Sequence, residues 1–291
     1  MPSPGEKFRA LMESGKHFIA GDTYSALTGR IVEYVGFKAA YVGGHAASAF
    51  HYAMPDNGIY SQVEQIEQAG RIAQAIDIPL IADADTLGET VADAYHFTRR
   101  YIQQGVAGFH VEDERNPKHS KYVNGLWSIA DQQARIDAAV RARRDMGVDF
   151  IIIARCDELY SNAMGGGGTG NMEEAIRRGH AYFEAGADVL FYPPKPPLPE
   201  LVKAMNAAKI PIATMGFNFP DTAFNMATGG WVTAAANHLK MMRELMEKGE
   251  ISSANYNFPE KYELIDHPLF DGLIEEWANK TGRQSRPNHA P

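Results

Sequence analysis

Short apolar runs recur eight times along the chain, at 17–20, 39–42, 78–82, 108–111, 150–154, 188–192, 210–214 and 231–235, with longer amphipathic stretches between them. The runs have strand length, whereas the stretches 63–76, 90–104, 130–146 and 172–185 carry apolar residues at helical spacing and end near Gly, Pro or a polar cluster. Alternation of this kind predicts a parallel sheet, and eight units predict its closure into a (β/α)8 TIM barrel. An open doubly wound sheet is the alternative. The 291 residues, 45% of them apolar, suit one barrel with an extra terminal element. There is no internal repeat, and no linker-like change before the polar, Pro-containing stretch that begins at Gln284. The expected organisation is a single barrel domain over 1–291, with 246–291 as a C-terminal helical extension.

Charge narrows the classes of partner. With 28 Lys plus Arg against 36 Asp plus Glu, the net charge of −8 provides no broad basic field to gather nucleic acid or anionic lipid, so neither is an expected partner. A small anionic substrate must then be held by a few local cations or a metal ion. The one cysteine, Cys156, cannot close an intramolecular disulfide, and no apolar run approaches the length of a membrane span or signal-peptide core. A soluble, cytoplasmic protein is expected.

In a barrel of this type the chemistry sits at the carboxyl ends of the strands. Three runs end in charged groups: Asp83 and Asp85 after one, Glu112 and Asp113 after the next, Arg155 and Asp157 after a third. Asp83 and Asp85, two residues apart, turn to one face if the chain stays extended. A hard divalent cation relieves the repulsion of two close carboxylates, and Glu112 can join them from the neighbouring strand. Arg155 follows a wholly apolar run and suits bidentate capture of a carboxylate, or an internal ion pair with Glu112 or Asp85. Gly43 and Gly44, just after Tyr41, let backbone N–H groups approach a ligand oxygen.

The polar stretch 115–125 reads as a lid and nominates Lys118, His119 and Ser120. The glycine-rich run 164–168 lacks the Gly-Lys-Ser/Thr ending of a phosphate loop and reads as a second flap. Cys156, next to an inward Arg155, is expected to point away and be inert. Asn237 and His238, placed just beyond the expected eighth strand, are candidate ligand contacts.

These residues resemble the isocitrate lyase/phosphoenolpyruvate mutase superfamily. FRALMESG, YVGG, PDNG, PLIADADT, AGFHVEDE with PK shortly after, IIARCDE and AGADVLF stand in the family's order and spacing from about residue 5 to about 245. The resemblance implies a (β/α)8 barrel whose eighth helix is swapped between subunits, in a homotetramer built as a dimer of dimers. It implies Asp85 as the direct Mg2+ ligand, with Asp56, Asp83 and Glu112 holding the ion through waters; Mn2+ is the alternative ion. Tyr41, Gly43 and Gly44 would line the place of the oxo-acid carboxylate, Arg155 would grip the substrate, and Lys118 would head the gating loop.

The chain also departs from its relatives. The carbon–carbon lyases carry Lys-Lys/Arg-Cys-Gly-His in the loop, whereas this chain has Lys118-His119-Ser120-Lys121-Tyr122, so Ser120 stands in the thiol's place. A serine hydroxyl is far less acidic than a thiol and transfers a proton poorly without help from His119. Tyr192-Pro193-Pro194 stands where the lyases tend to have Glu, and Gly43 where phosphonopyruvate enzymes have serine. The expected activity is a Mg2+-dependent lyase that cleaves a carbon–carbon bond in a malate-like or oxaloacetate-like acid through an enolate. The alternatives are a phosphonopyruvate-type mutase or hydrolase, and a retired barrel that only binds an oxo acid.

Overall fold

The structure, a computed structural model, describes residues 1–122, 124–161, 164–193, 199–216, 219–252 and 258–282. Pro194 and the tail from Gln284 lie outside them. Eight parallel strands close a barrel in chain order: β1 (Phe18–Thr23), β2 (Ala39–Val42), β3 (Leu80–Asp83), β4 (Gly108–Glu112), β5 (Ile151–Arg155), β6 (Val189–Phe191), β7 (Ile212–Met215) and β8 (Phe224–Met226). The expected TIM barrel is therefore the observed fold.

Outside run α2 (Ala26–Val35), α3 (Gly44–Tyr52), α4 (Gln62–Ala73), α5 (Val91–Gln103), α6 (Ile129–Met146), α7 (Met172–Glu184) and α8 (Pro199–Ala207). Local sequence sets where several begin. Ser25, Ser61 and Thr90 each cap a helix with a reciprocal hydrogen bond from the residue three places on, which satisfies backbone N–H groups that the helix itself cannot pair. A further helix, α1 (Pro4–Glu13), precedes the barrel. Its Phe8 packs edge-on against Phe18 and Phe224, the first residues of β1 and β8, at 5.5 and 5.1 Å. That contact stops the amino-terminal end of the barrel and leaves the opposite end for the site.

Strand alternation sorts the side chains. Ala20, Tyr41, Ile81, Ile153, Phe191, Ala213 and Met226 face inward with Phe8, whereas Val42, Leu80, Val111, Ile152 and Leu190 pack outward beneath the helices. Cys156 belongs to the outer set and is buried, as expected.

One strand differs from the sequence expectation. The run 231–235 lies inside α9 (Gly230–Lys248), and the eighth strand is Phe224–Met226. Three residues around a polar Asn225 give too short a pattern to read as a strand. Asn225 is fixed by tertiary bonds, accepting from Phe219 N at 2.8 Å and donating to Thr222 Oγ1 at 2.9 Å.

The chain divides into two compact units, Met1–Trp231 and Val232–Pro291. The first contains the barrel. The second contains most of α9, together with α10 (Lys261–Leu264) and α11 (His267–Lys280). Within it Leu239, Met242, Leu245 and Met246 of α9 and Leu269, Phe270, Leu273, Ile274 and Trp277 of α11 are exposed. No helix among the described residues is long and apolar enough to cross a membrane.

Candidate active site

Asp83 ends β3, and Asp85 follows with φ at 45°. The two carboxylates meet, as expected, through a left-handed turn rather than continued strand alternation, and Asp85 N donates to Asp83 Oδ1 at 3.0 Å. Glu112 ends β4, and oxygens of Asp83, Asp85 and Glu112 all lie within 4.8 Å of one another, all three residues being buried. Gly44 opens α3 and donates its N–H to Asp83 Oδ2 at 2.9 Å. A Cβ at position 44 would stand 3.1 Å from that oxygen. This glycine serves the close approach of helix backbone to carboxylate.

The lid brings a cation into this trio. Lys118 is wholly buried; its Nζ contacts Asp85 Oδ1 and lies 3.0 Å from Glu112 Oε1 and 3.2 Å from Asp56 Oδ1. Asp56 thus meets the trio through Lys118. Glu112 has no hydrogen-bond donor on either oxygen among the described residues and is held by charge alone. Burial pushes the Asp85 carboxyl up to about 7, with Asp83, Asp56 and Glu112 adding to the rise against the pull of Lys118. Burial also works to raise Asp83, but His110, Lys118 and Arg155 bring it below its ordinary value. For Lys118 the neighbouring acids overcome burial and raise the ammonium well above its usual range. The site therefore demands positive charge, and its hard oxygen donors fit Mg2+ or Mn2+.

Arg155 ends β5 and forms the internal ion pair expected with Glu112, its second acid being Asp157 rather than Asp85. Its Nη1 lies 2.7 Å from Glu112 Oε2, and Nε and Nη2 donate to Asp157 Oδ1 at 3.0 and 2.8 Å. It also sits 5.6 Å over the Phe191 ring. Beneath it, Tyr41 hydroxyl and His110 Nε2 are 2.9 Å apart, and His110 Nδ1 is 3.5 Å from Asp83 Oδ1. Burial lowers the His110 pKa against the pull of Asp83 and raises that of Tyr41, which favours the neutral form of each. A Cβ at Gly43 would stand 3.3 Å from the Tyr41 hydroxyl.

His110 and Gln65 were absent from the expected site. Alternation back from Glu112 puts His110 on the inward face, so that signal was present in the sequence. Gln65 carried none: it reaches Asp85 Oδ2 from α4 across the fold. Asp113 faces the other way, accepting from Tyr182 hydroxyl at 2.6 Å and Arg178 Nη1 at 3.1 Å.

The lid residues separate. His119 Nδ1 lies 3.6 Å from Asp56 Oδ2 and its Nε2 3.7 Å from Glu114 Oε2. Burial works against its charged form, but the bond to Asp56 raises its pKa overall. Ser120 Oγ instead donates within its own loop, to Tyr122 O at 2.9 Å. Asn237 and His238 do not follow a strand: they lie within α9, exposed, because the chain there is helical. The glycine-rich run folds back on Tyr160, with Gly168 N donating to Tyr160 O at 3.1 Å.

The phosphoenolpyruvate phosphomutase family model matches residues 8–241. The chain belongs to the isocitrate lyase/phosphoenolpyruvate mutase superfamily. It is similar to 2,3-dimethylmalate lyase of Eubacterium barkeri, 34% identical over 187 residues, which are 64% of this chain and 61% of that one. The match thus spans less than two thirds of that relative's length. Among solved structures it resembles oxaloacetate acetylhydrolase in complex with 3,3-difluorooxalacetate, with a TM-score of 0.83 and 25% identity over 98% of this chain and 99% of that one. It also resembles phosphonopyruvate hydrolase in complex with oxalate and Mg++, with a TM-score of 0.79 and 25% identity over 94% and 98%.

Proposed function

We propose that the protein is a divalent-cation-dependent lyase that breaks the carbon–carbon bond beside the oxygen-bearing carbon of a small malate-like or oxaloacetate-like acid. The buried trio of Asp83, Asp85 and Glu112, with the Arg155 guanidinium against one of its members, carries this reading. Bound by these acids, Mg2+ or Mn2+ would supply fixed positive charge for the two chelating oxygens of a 2-oxo or 2-hydroxy carboxylate.

The chain's own residues account for the rest. Arg155 offers a planar donor set to the carboxylate and is kept charged by Asp157 and Glu112. In a 2-hydroxy acid, cleavage passes the hydroxyl proton to a carboxylate of the site, converts that carbon to a carbonyl and leaves the bonding pair on the departing carbon as an enolate. That enolate then needs a proton. His119, held between Asp56 and Glu114 and favouring its protonated form, is the lid group suited to give it; Ser120, engaged with its own backbone, is not. Lys118 brings a second cation to the same charge. The uncovered apolar faces of α9 and α11 support the further reading that a partner subunit covers them, in keeping with a dimer of dimers.

Purified protein with Mg2+ is expected to release pyruvate, oxalate or glyoxylate from one member of a panel of malates, alkylmalates and oxaloacetate. Asp85→Ala is expected to lose that turnover. Silence of the parent across the panel would remove the reading. The lid without a thiol favours one competitor, cleavage of a carbon–phosphorus bond in a phosphonopyruvate-like acid, which phosphorus NMR of the same incubation detects directly.

A further inference from the structure

Arg135 lies on the buried face of α6, along with Gln132, Ile136 and Ala139, and is only 2% exposed. Among the described residues no carboxylate stands within ion-pair distance of it, and its Nε has no acceptor. Burial lowers its pKa, against the more distant pull of Glu89, Asp93 and Asp131. An apolar residue would fill such a position at less cost. What the guanidinium does touch is specific. Its Nη2 donates to the Gly88 carbonyl, and its carbon lies 5.0 Å from the centre of the Trp127 ring.

These two contacts belong to the two halves of the site. Gly88 closes the turn that begins at Asp85, where Asp85, Leu87 and Gly88 all have positive φ, at 45°, 56° and 87°. Two of the three carry a Cβ in the left-handed region, a conformation that persists only where surrounding contacts over-determine it. Leu87 N to Ala84 O, at 2.8 Å, and Thr86 Oγ1 to Gly88 O, at 3.3 Å, hold the turn from within, and Arg135 holds it from without. Trp127, for its part, is the far end of the lid's neck. Its backbone N–H donates to Asp113 O at 2.8 Å, Arg115 N donates to Gly125 O at 3.0 Å, and Glu114 bridges Leu126 in antiparallel fashion. The Arg115 guanidinium sits 4.9 Å from the same ring. The neck carries Lys118, which ends on Asp85.

We infer that Arg135 is a positioning residue that couples the Asp85 turn to the neck of the lid, so that one guanidinium sets both the metal-site aspartate and the lysine that meets it. The catalytic consequence rests on the lyase reading above, but the physical coupling does not.

Hydrogen exchange of the full-length protein, measured by mass spectrometry without ligand, tests the coupling independently of any substrate. In Arg135→Met, segments 84–90 and 113–127 are both expected to exchange about tenfold faster, while β5, β6 and α7 keep their rates. Trp127→Leu removes the ring against which the Arg135 guanidinium rests. It is expected to speed the neck directly and the turn through the freed guanidinium, and it serves if the first variant does not fold. Faster exchange in only one segment, in neither, or to an equal extent throughout the barrel would overturn the inference. In the turnover assay Arg135→Met is expected to lower kcat about tenfold at unchanged KM for the acid. A kcat equal to the parent's would overturn the positioning role, whereas a parent that turns nothing over would count against the lyase reading alone.

Discussion

Replacing Lys118 by Met removes the one ammonium that the described residues place among Asp85, Glu112 and Asp56, while keeping most of the side chain's bulk. Two of its contacts, at 3.0 and 3.2 Å, are each worth about 5 kcal/mol of attraction at an effective dielectric constant of about 20. Desolvation offsets much of that in the intact protein, but deleting one partner of a buried cluster leaves the other charges uncompensated and typically costs about 3–5 kcal/mol. At about 2–4 °C per kcal/mol for a domain of this size, the variant in chelator is expected to melt roughly 10 °C below the parent. A divalent cation and the ammonium draw on the same Asp85 and Glu112 oxygens, so the ion no longer competes with Lys118 in the variant. It is expected to bind at least about tenfold more tightly, the equivalent of about 1.4 kcal/mol. Thermal unfolding in chelator and in millimolar Mg2+ therefore shows a larger Mg2+-induced rise in the variant than in the parent. Turnover moves the opposite way and is expected to fall at least about a hundredfold, because the lid no longer delivers its cation. Equal rises for both proteins would show that lysine and metal do not share the site, and an unchanged melting point in chelator would refute the electrostatic argument itself.

Gly44 and Arg9 make contacts whose loss has a measurable outcome. Gly44→Ala sets a methyl group 3.1 Å from Asp83 Oδ2 and 3.3 Å from Asp85 Oδ1; Mg2+ affinity by calorimetry is expected to fall about tenfold with the melting point little changed, and unchanged affinity would show that the carboxylates yield freely. Arg9 fixes α1 to the barrel through two bonds of 2.7 Å to Asp149, which lower the Asp149 pKa from its ordinary value. Since the folded pKa is depressed, the contribution is present above the unfolded carboxylate value and lost as pH falls through the lowered one. Arg9→Met is then expected to cost about 1 kcal/mol at pH 7 and nearly nothing at strongly acidic pH, where denaturant titrations of the two proteins should converge.

Much of the barrel was legible because each inner strand carries its own pattern. The run 39–42 is β2 to the residue, β4 differs from expectation by one residue at one end, and β5 and β6 differ by one residue at each end. The eighth strand was not legible, since Phe224-Asn225-Met226 is stabilised by bonds from Phe219 and Thr222 rather than by an apolar run of its own. The next apolar run, at 231–235, belongs to a helix that starts just after Gly229.

The site divides along the same line. The acids at the ends of β3 and β4 and the arginine at the end of β5 follow from local sequence, because strand alternation and the polarity of a barrel mouth leave those side chains few places to go. Chain folding alone decided which of them meet and what lies behind them: the left-handed turn that brings Asp85 to Asp83, Gln65 arriving from α4, Lys118 rather than Ser120 entering the acidic trio, and Arg135 joining turn to lid. The Gln65–Asp85, Lys118–Asp85 and Arg135–Gly88 contacts link residues 20, 33 and 47 positions apart. Their energies depend on burial and distance, quantities that no window of sequence contains.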